Sequence, residues 1–222
     1  MDLESFVSAN APSEGRAQFE LENSKLLDID VEGSVMVKAG SMIAYDGEIT
    51  FTGKSSAEGG LSGFVKEAVT SEGTPIMEAE GQGHVYVADQ GKKVQPLQLD
   101  AGESITVNGN DVLAFENSVD YSIGTVGSVG GAQAGGLTNV FLEGPGNIAI
   151  TTHGDPMVVA PPVKTDPQAT VAWSSNLSPS ISTNKTIEIG QTSGETYQMA
   201  FNGQQGFVVV QPFEEGPQGT GA

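Results

Sequence analysis

An alanine followed by an aromatic residue ends three separate nine-residue arms of this chain. The arms read Val37-Lys-Ala-Gly-Ser-Met-Ile-Ala-Tyr45, Val107-Asn-Gly-Asn-Asp-Val-Leu-Ala-Phe115 and Thr165-Asp-Pro-Gln-Ala-Thr-Val-Ala-Trp173. Each opens on a polar or glycine-rich turn, and each is answered downstream by a second arm. Glu80-Gly81-Gln-Gly83 leads into His84-Val-Tyr-Val-Ala88 and then Gly91. Glu143-Gly144-Pro-Gly146 leads into Asn147-Ile-Ala-Ile-Thr151 and then Gly154. The third, Asn202-Gly203-Gln-Gln-Gly206 into Phe207-Val-Val-Val-Gln211, is looser. Two elements recurring in one order point to a supersecondary unit used three times, over about 16–91, 92–154 and 155–212. Gly81, Gly83, Gly91, Gly144, Gly146, Gly154, Gly203 and Gly206 are expected at turns, supplying positive φ or close backbone approach. Tyr45, Phe115 and Trp173 are expected on the inner edge of three related β units, as core or interface aromatics rather than a ligand platform.

The rest of the chain fits that frame. Phe19-Glu-Leu-Glu and Leu27-Asp-Ile-Asp-Val31 alternate with the period of half-buried strands. Further strands are expected at 48–52, 76–79, 84–88, 96–99, 104–107, 112–115, 138–142, 148–152, 157–160, 171–173, 185–189, 196–201 and 207–211. The one plausible helical turn is 64–69. Residues 1–15 read as a loosely held lead-in, 124–136 as a glycine-rich loop and 213–222 as a disordered tail. Many short strands separated by turn signals predict an all-β sandwich, barrel or prism, and the three-fold recurrence gives it pseudo-threefold character.

Charge narrows the partners. The chain carries 28 acidic and 9 basic residues, a formal net charge of −19, and Arg16 is its one arginine. Phosphate backbones are bound by lysine and arginine displacing counterions, so no nucleic acid is expected. Adsorption to anionic lipid is opposed in the same way. The acids are dispersed, a distribution that suits molar salt: at ~1 M the Debye length falls to about 3 Å and self-repulsion is screened. A halophilic source and a high-salt cytosol follow as expectations. The absence of cysteine fits a reducing compartment. Nothing resembles a signal peptide, nor the ~18 consecutive apolar residues of a membrane span. Any membrane association is expected to be peripheral.

Catalytic patterns fail when tested against their mechanics. Gly53-Lys54-Ser55 lacks the phosphate loop's first glycine, since position 48 is Glu48, and glycines follow where a helix should start. Gly81-Gln-Gly83 and Gly144-Pro-Gly146 never reach the third glycine of a dinucleotide motif. His84 and His153 are the two histidines; a jelly-roll metal enzyme needs two or three with a carboxylate, and Asp155 or Glu80 would have to complete the set. No Gly-x-Ser-x-Gly elbow occurs. No catalytic residue, metal ligand or cofactor is assigned.

The order of the motifs resembles the altered-inheritance-of-mitochondria family (number twenty-four), from Phe19 to about Gln211. The resemblance rests on Val37 to Tyr45, on Glu80-Gly-Gln-Gly with its strand, and on Leu97-Gln-Leu leading to Leu113-Ala-Phe. It continues through Gly144-Pro-Gly, Val171-Ala-Trp173 and the glycine strand ending in Gln211. It implies a fold like that of the tryptophan RNA-binding attenuation protein, a compact sandwich or prism built from double-stranded β-helix-like units and often assembled as a trimer. That family has no established catalytic residues, so the resemblance transfers none. Its mitochondrial members are linked to inner-membrane organisation. The third turn departs from the pattern, with Gly203-Gln-Gln-Gly206 in place of Gly-Pro-Gly. The function expected is a non-enzymatic β scaffold that forms a homo-oligomer, a trimer first, and presents a surface to a protein or membrane-associated partner. The alternatives, in order, are a small-molecule binding module and a metal-dependent double-stranded β-helix enzyme.

Overall fold

Period-two alternation governs the chain, and strands carry nearly all of its regular structure. The structure is a computed structural model that describes residues 1–13, 15, 17–54, 76–126, 137–183 and 197–215. The one described helix is α1 (Leu3–Ala9), in the lead-in expected to be irregular; the Asp2 carboxylate caps it by accepting from the Ser5 N–H at 2.8 Å. None of its residues is buried. The helical turn expected at 64–69 and the strand expected at 185–189 lie outside the described residues.

The first unit holds β1 (Phe19–Asn23), β2 (Leu26–Lys38), β3 (Met42–Tyr45), β4 (Glu48–Lys54) and β5 (Ile76–Val87). The second holds β6 (Lys93–Leu99), β7 (Ser104–Asn108), β8 (Val112–Glu116), β9 (Asp120–Val126), β10 (Leu137–Glu143) and β11 (Gly146–Thr152). The third begins beyond these with β12 (Met157–Val159), β13 (Val163–Thr165), β14 (Thr170–Ser174), β15 (Ser180–Thr183), β16 (Tyr197–Phe201) and β17 (Val208–Val210). Three open antiparallel sheets result. The first runs β3-β5-β2-β8-β11-β6, with β1 beside β2 and β4 beside β5; the second runs β12-β17-β14-β7-β10-β9; the third is β13-β16-β15. The all-β class is as expected. Strands β9, β13 and β15 were not anticipated, and β9 takes in residues 124–126 of the expected loop.

The three arms make the same contacts at the same offsets. Each opens on a turn closed by Ser41 N–H to Lys38 O, Asp111 N–H to Asn108 O or Ala169 N–H to Asp166 O, at 3.1, 2.8 and 3.2 Å. The carbonyls of Ser41, Asp111 and Ala169 then accept from Ala88, Thr151 and Gln211 at 2.9, 2.8 and 2.9 Å. Each arm next bulges by one residue, at Ile43, Leu113 and Val171, which the register skips. The aromatic that follows lies opposite an apolar residue: Tyr45 opposite Val85, Phe115 opposite Ile148, Trp173 opposite Val208. Each opposed residue stands two past a glycine of positive φ, at Gly83 (141°), Gly146 (149°) and Gly206 (120°).

The glycine arms are not all turns. In the first unit β5 runs unbroken through Gly81 and Gly83, because β2 pairs with it along its whole length, from Leu27 opposite Val87 to Lys38 opposite Ile76. What glycine supplies there is close approach. A Cβ at Gly81 would collide with the Glu48 carbonyl, and one at Gly83 with the Asp46 carbonyl. In the second unit Gly144 lies in the link that carries the chain from β10 in the second sheet to β11 in the first. Gly203 lies in the link between β16 and β17, which passes from the third sheet to the second. Gly91 and Gly154 follow β5 and β11 at positive φ.

The aromatics also divide. Phe115 and Trp173 are buried at 0% and 2% exposure, whereas Tyr45 is 49% exposed and not on an inner edge. The register gives the reason. Ala114 and Phe115 are covered on their second side by Val37 and Met36 of β2, and Ala172 and Trp173 by Val107 and Thr106 of β7. Strand β3 has β5 on one side and no described strand on the other. Three apolar clusters form the interior, one centred on Leu27, Val35 and Val85, one on Phe115, Val107 and Ile148, and one on Trp173, Met199 and Phe201. Truncation of the aromatics should follow this division. Phe115→Ala is expected to cost about 3–5 kcal/mol and Tyr45→Ala less than about 1 kcal/mol, measured by urea unfolding of the monomeric chain.

Candidate functional site

The turn ends of the units meet in a knot of charge that hydropathy does not announce. A tight turn, with the Lys92 N–H donating to Asp89 O at 2.8 Å and positive φ at Gln90 and Gly91, brings the Asp89 and Lys92 side chains together. The Lys92 side chain is 4% exposed and Asp111 1%. Lys92 Nζ donates to Asp111 Oδ1 at 2.8 Å, stands 3.7 Å from Asp89 Oδ2 and contacts Glu215 Oε1. Lys38 Nζ donates to Asp89 Oδ2 at 2.8 Å and to the Asn110 carbonyl at 2.7 Å. Thr151 Oγ1 donates to Asp89 Oδ2 at 3.4 Å.

The C-terminal segment closes this knot, so residues 213–215 are not part of a disordered tail. Glu215 N–H donates to Gln168 O at 3.0 Å, and Gln211 N–H donates to Ala169 O. The Gln211 side chain accepts from the His153 N–H at 2.7 Å, and the Phe213 ring packs 4.2 Å from the His153 ring. His153 Nε2 lies 3.5 Å from Glu215 Oε1.

Electrostatics follow from burial. Two ammonium groups face three carboxylates. Burial pushes Asp111 up to about 7, against the pull of Lys92, and the adjacent Glu215 charge adds to the rise. Burial also disfavours Glu215 ionisation, but the Lys92 hydrogen bond and charge outweigh it and hold that carboxyl below its ordinary value. Burial depresses Lys92, and Asp111 and Glu215 more than restore it. Burial, followed by the Lys92 charge, lowers His153, keeping its ring neutral. Below about pH 7 the proton that burial favours on Asp111 balances the knot at two positive and two negative charges. The polar atoms satisfy one another, so this centre can hold a proton and brace the fold; it presents no free nucleophile or open ligand position.

His84 stands elsewhere, on β5 opposite Asp30 of β2. Asp28 Oδ1 and Oδ2 accept from Nδ1 at 3.0 and 3.1 Å, Asp46 Oδ1 accepts from the backbone N–H at 3.1 Å, and Tyr86 stacks on the ring at 6.3 Å. The Asp28 hydrogen bond raises the imidazole pKa against a small burial cost, and burial raises that of Asp28. The two histidines thus have separate partners. Asp155, which would have had to complete a metal set, pairs with Lys93 at 2.6 Å, and Glu80 is exposed on β5. Among the described residues no group of three or more His, Asp or Glu is arranged to hold a metal.

The charged knot is not visible in the sequence because its members lie at the end of β2, in two separate turns and in the C-terminal segment. The one signal available was scarcity: with nine basic residues, a lysine following Asp89-Gln-Gly91 is more than surface decoration. The knot makes stability pH-dependent with a definite sign. Asp111 keeps its proton in the folded chain to about pH 7 and loses it near 3.9 when unfolded. The folded state binds the extra proton between these values, so this group's contribution falls as pH rises from about 4 to 7 and is level above. Asp111→Asn is expected to flatten that limb, by an amount on the order of a few kcal/mol, read from urea midpoints between pH 4.5 and 8.5.

Comparison with known proteins agrees with this architecture. The family model described as "Mitochondrial biogenesis AIM24" matches residues 18–213. The crystal structure of protein SPYM3_0169 from Streptococcus pyogenes superposes with a TM-score of 0.69 at 23% identity, covering 90% of this chain and 94% of that one. A search of curated proteins finds no match. With nearly the whole described chain inside the family match, this protein belongs to the AIM24 family.

Proposed function

We propose that this AIM24-family chain is a non-enzymatic scaffold built from three copies of one β unit, which self-assembles and presents a surface to a protein or membrane-associated partner. One observation carries the reading. Every exposed large apolar side chain on a described strand sits on a strand with a single hydrogen-bonded neighbour: Leu21 on β1, Met42, Ile43 and Tyr45 on β3, Leu97 on β6, Tyr121 on β9, and Met157 and Val158 on β12. Soluble chains ordinarily blunt such edges with charge or proline. Here β3 and β12 carry neither, while β1, β6 and β9 carry Glu20, Glu22, Lys93, Pro96 and Asp120, and the charged groups with the most perturbed surroundings are consumed in an internal brace. Catalysis needs a convergent, accessible set of groups, and the two centres found offer a saturated knot and one histidine with its carboxylate. The recurring turn, bulge and glycine contacts support the copying of one unit. No described helix is long and apolar enough to cross a membrane, and membrane contact on this reading is peripheral.

Net charge makes assembly conditional on salt. At −19 two copies repel each other, and at ~1 M salt that repulsion reaches only about 3 Å. The expected outcome of light scattering at micromolar concentration is a mass near the 22.9 kDa of one chain in dilute buffer and a multiple of it, three copies first, in 2 M KCl. The thermal midpoint is expected to rise by several degrees over the same change. A monomer at every salt and concentration would overturn the self-assembly reading, and equal midpoints would overturn the halophilic one.

A further inference from the structure

The units are joined within the chain by one repeated seam. Strand β8 of the second unit pairs with β2 of the first, placing Ala114 opposite Val37, Phe115 opposite Met36 and Glu116 opposite Val35. Strand β14 of the third pairs with β7 of the second, placing Ala172 opposite Val107, Trp173 opposite Thr106 and Ser174 opposite Ile105. In both seams the alanine of one arm faces the first residue of the arm before it. The bulged residue crosses the seam as well. Leu113 is fully buried in the first unit's cluster and Val171 in the second unit's.

Each seam thus uses one edge from the earlier unit and one from the later, and the series leaves two ends over. Among the described strands β3, counterpart of β8 and β14, has β5 as its one ladder partner, and β13, counterpart of β2 and β7, has β16 as its one partner. No described ladder joins β3 to β13. At the open end Ile43, counterpart of Leu113 and Val171, is 62% exposed, and Met42 and Tyr45 are 37% and 49% exposed.

Resting on the self-assembly reading, we infer that β13 of one copy pairs antiparallel with β3 of the next in the register of the internal seams. Ala44 then lies opposite Thr165, Tyr45 opposite Lys164 and Asp46 opposite Val163. The third sheet, β15-β16-β13, is continued by the neighbour's β3-β5-β2, which repeats the local order of β9-β10-β7-β14-β17-β12 and runs on into the rest of the neighbour's first sheet. Ile43 enters the neighbour's cluster around Trp173, Met199 and Phe201. Lys164, exposed on β13, comes directly opposite Tyr45 of the next copy, on the same face of the new ladder. The contact is head-to-tail, since it uses different surfaces on the two copies, and it closes into a ring or propagates according to the rotation per copy.

The absence of cysteine gives a clean test. Ala44→Cys and Thr165→Cys are made as separate chains, and directly opposed strand residues lie within disulfide reach. Mixed in 2 M KCl under mild oxidation, they are expected to give a disulfide-linked pair of chains in high yield, with each variant alone giving at least tenfold less. Ile43→Lys, at a position exposed in the single chain, is expected to keep the unfolding midpoint of the monomer in dilute buffer and to weaken association at least tenfold. If the native chain is oligomeric by light scattering but the mixture fails to cross-link, or Ala44→Cys cross-links to itself, the seam inference falls and self-assembly stands. If Ile43→Lys associates like the native chain, the seam inference falls too. If the native chain is a monomer in every salt, both fall.

Discussion

The fold depends on a local device: an arm with one extra residue, laid against a strand that leaves a glycine of positive φ. The bulges at Ile43, Leu113 and Val171 and the glycines at 83, 146 and 206 occur together in every unit. A bulge raises local twist and re-aims the next side chain, and positive φ bends the partner in a way residues with a Cβ resist. Between them they decide where a strand gives up one neighbour and takes another. In the second and third units the chain uses this point to pass between sheets. In the first it does not, because β2 is long enough to back both halves of β5. The same local geometry therefore serves a crossing in two places and a continuous strand in one, and the difference lies in the length of the partner.

The charged knot does a separate task. Taking ions out of water costs several kcal/mol each, and a buried pair is a poor source of net stability against an apolar replacement. Its effect is on specificity of arrangement. The Asn110 carbonyl accepts from Lys38 at 2.7 Å and from Lys92 at 3.4 Å, so the lysine that ends β2 and the one that follows β5 both grip the turn that opens the second arm. Glu215 ties the end of the third unit to the same point. Losing one member leaves a charge buried without its partner, which is far worse than losing the set. A retained proton on Asp111 is the least costly way to keep three carboxylates beside two ammoniums in a small volume.

Much of this was legible in the sequence, and the failures have physical causes. The all-β class and most strand positions followed from alternation, and the offsets within the arms followed from direct comparison of three segments. Tyr45 was misplaced because burial of an arm's aromatic is decided by the preceding unit, and the first arm has none before it. Gly81 and Gly83 were misplaced because a glycine needed for close approach to Glu48 and Asp46 reads like a glycine needed for a turn. Residues 213–215 were assigned to a tail on composition, yet one glutamate with a buried lysine to meet is enough to dock a polar segment. The knot itself was out of reach, since nothing in sequence order brings Lys38, Lys92, Asp111 and Glu215 together. The His84–Asp28 pair could have been found by registering β2 against β5, which places Asp28 and Asp30 opposite Tyr86 and His84.

On the assembly proposed above, range separates the two forces between copies. Repulsion between chains of −19 acts over the Debye length, about 30 Å at 0.01 M and 3 Å at 1 M. Strand pairing acts at the ~4.8 Å spacing of a sheet, and the burial of Met42, Ile43 and Tyr45 acts at contact. Salt therefore removes what keeps copies apart while leaving untouched what would hold an edge to an edge. In dilute solution the same apolar edges are guarded by the field of the whole molecule, although few charges stand on the edges themselves. Dispersed acid then does from a distance, at β3 and β12, what charge and proline do locally on β1, β6 and β9. Such an effect works with acids placed almost anywhere outside the ladders, which accounts for charge so evenly spread along a chain whose apolar positions are so tightly specified.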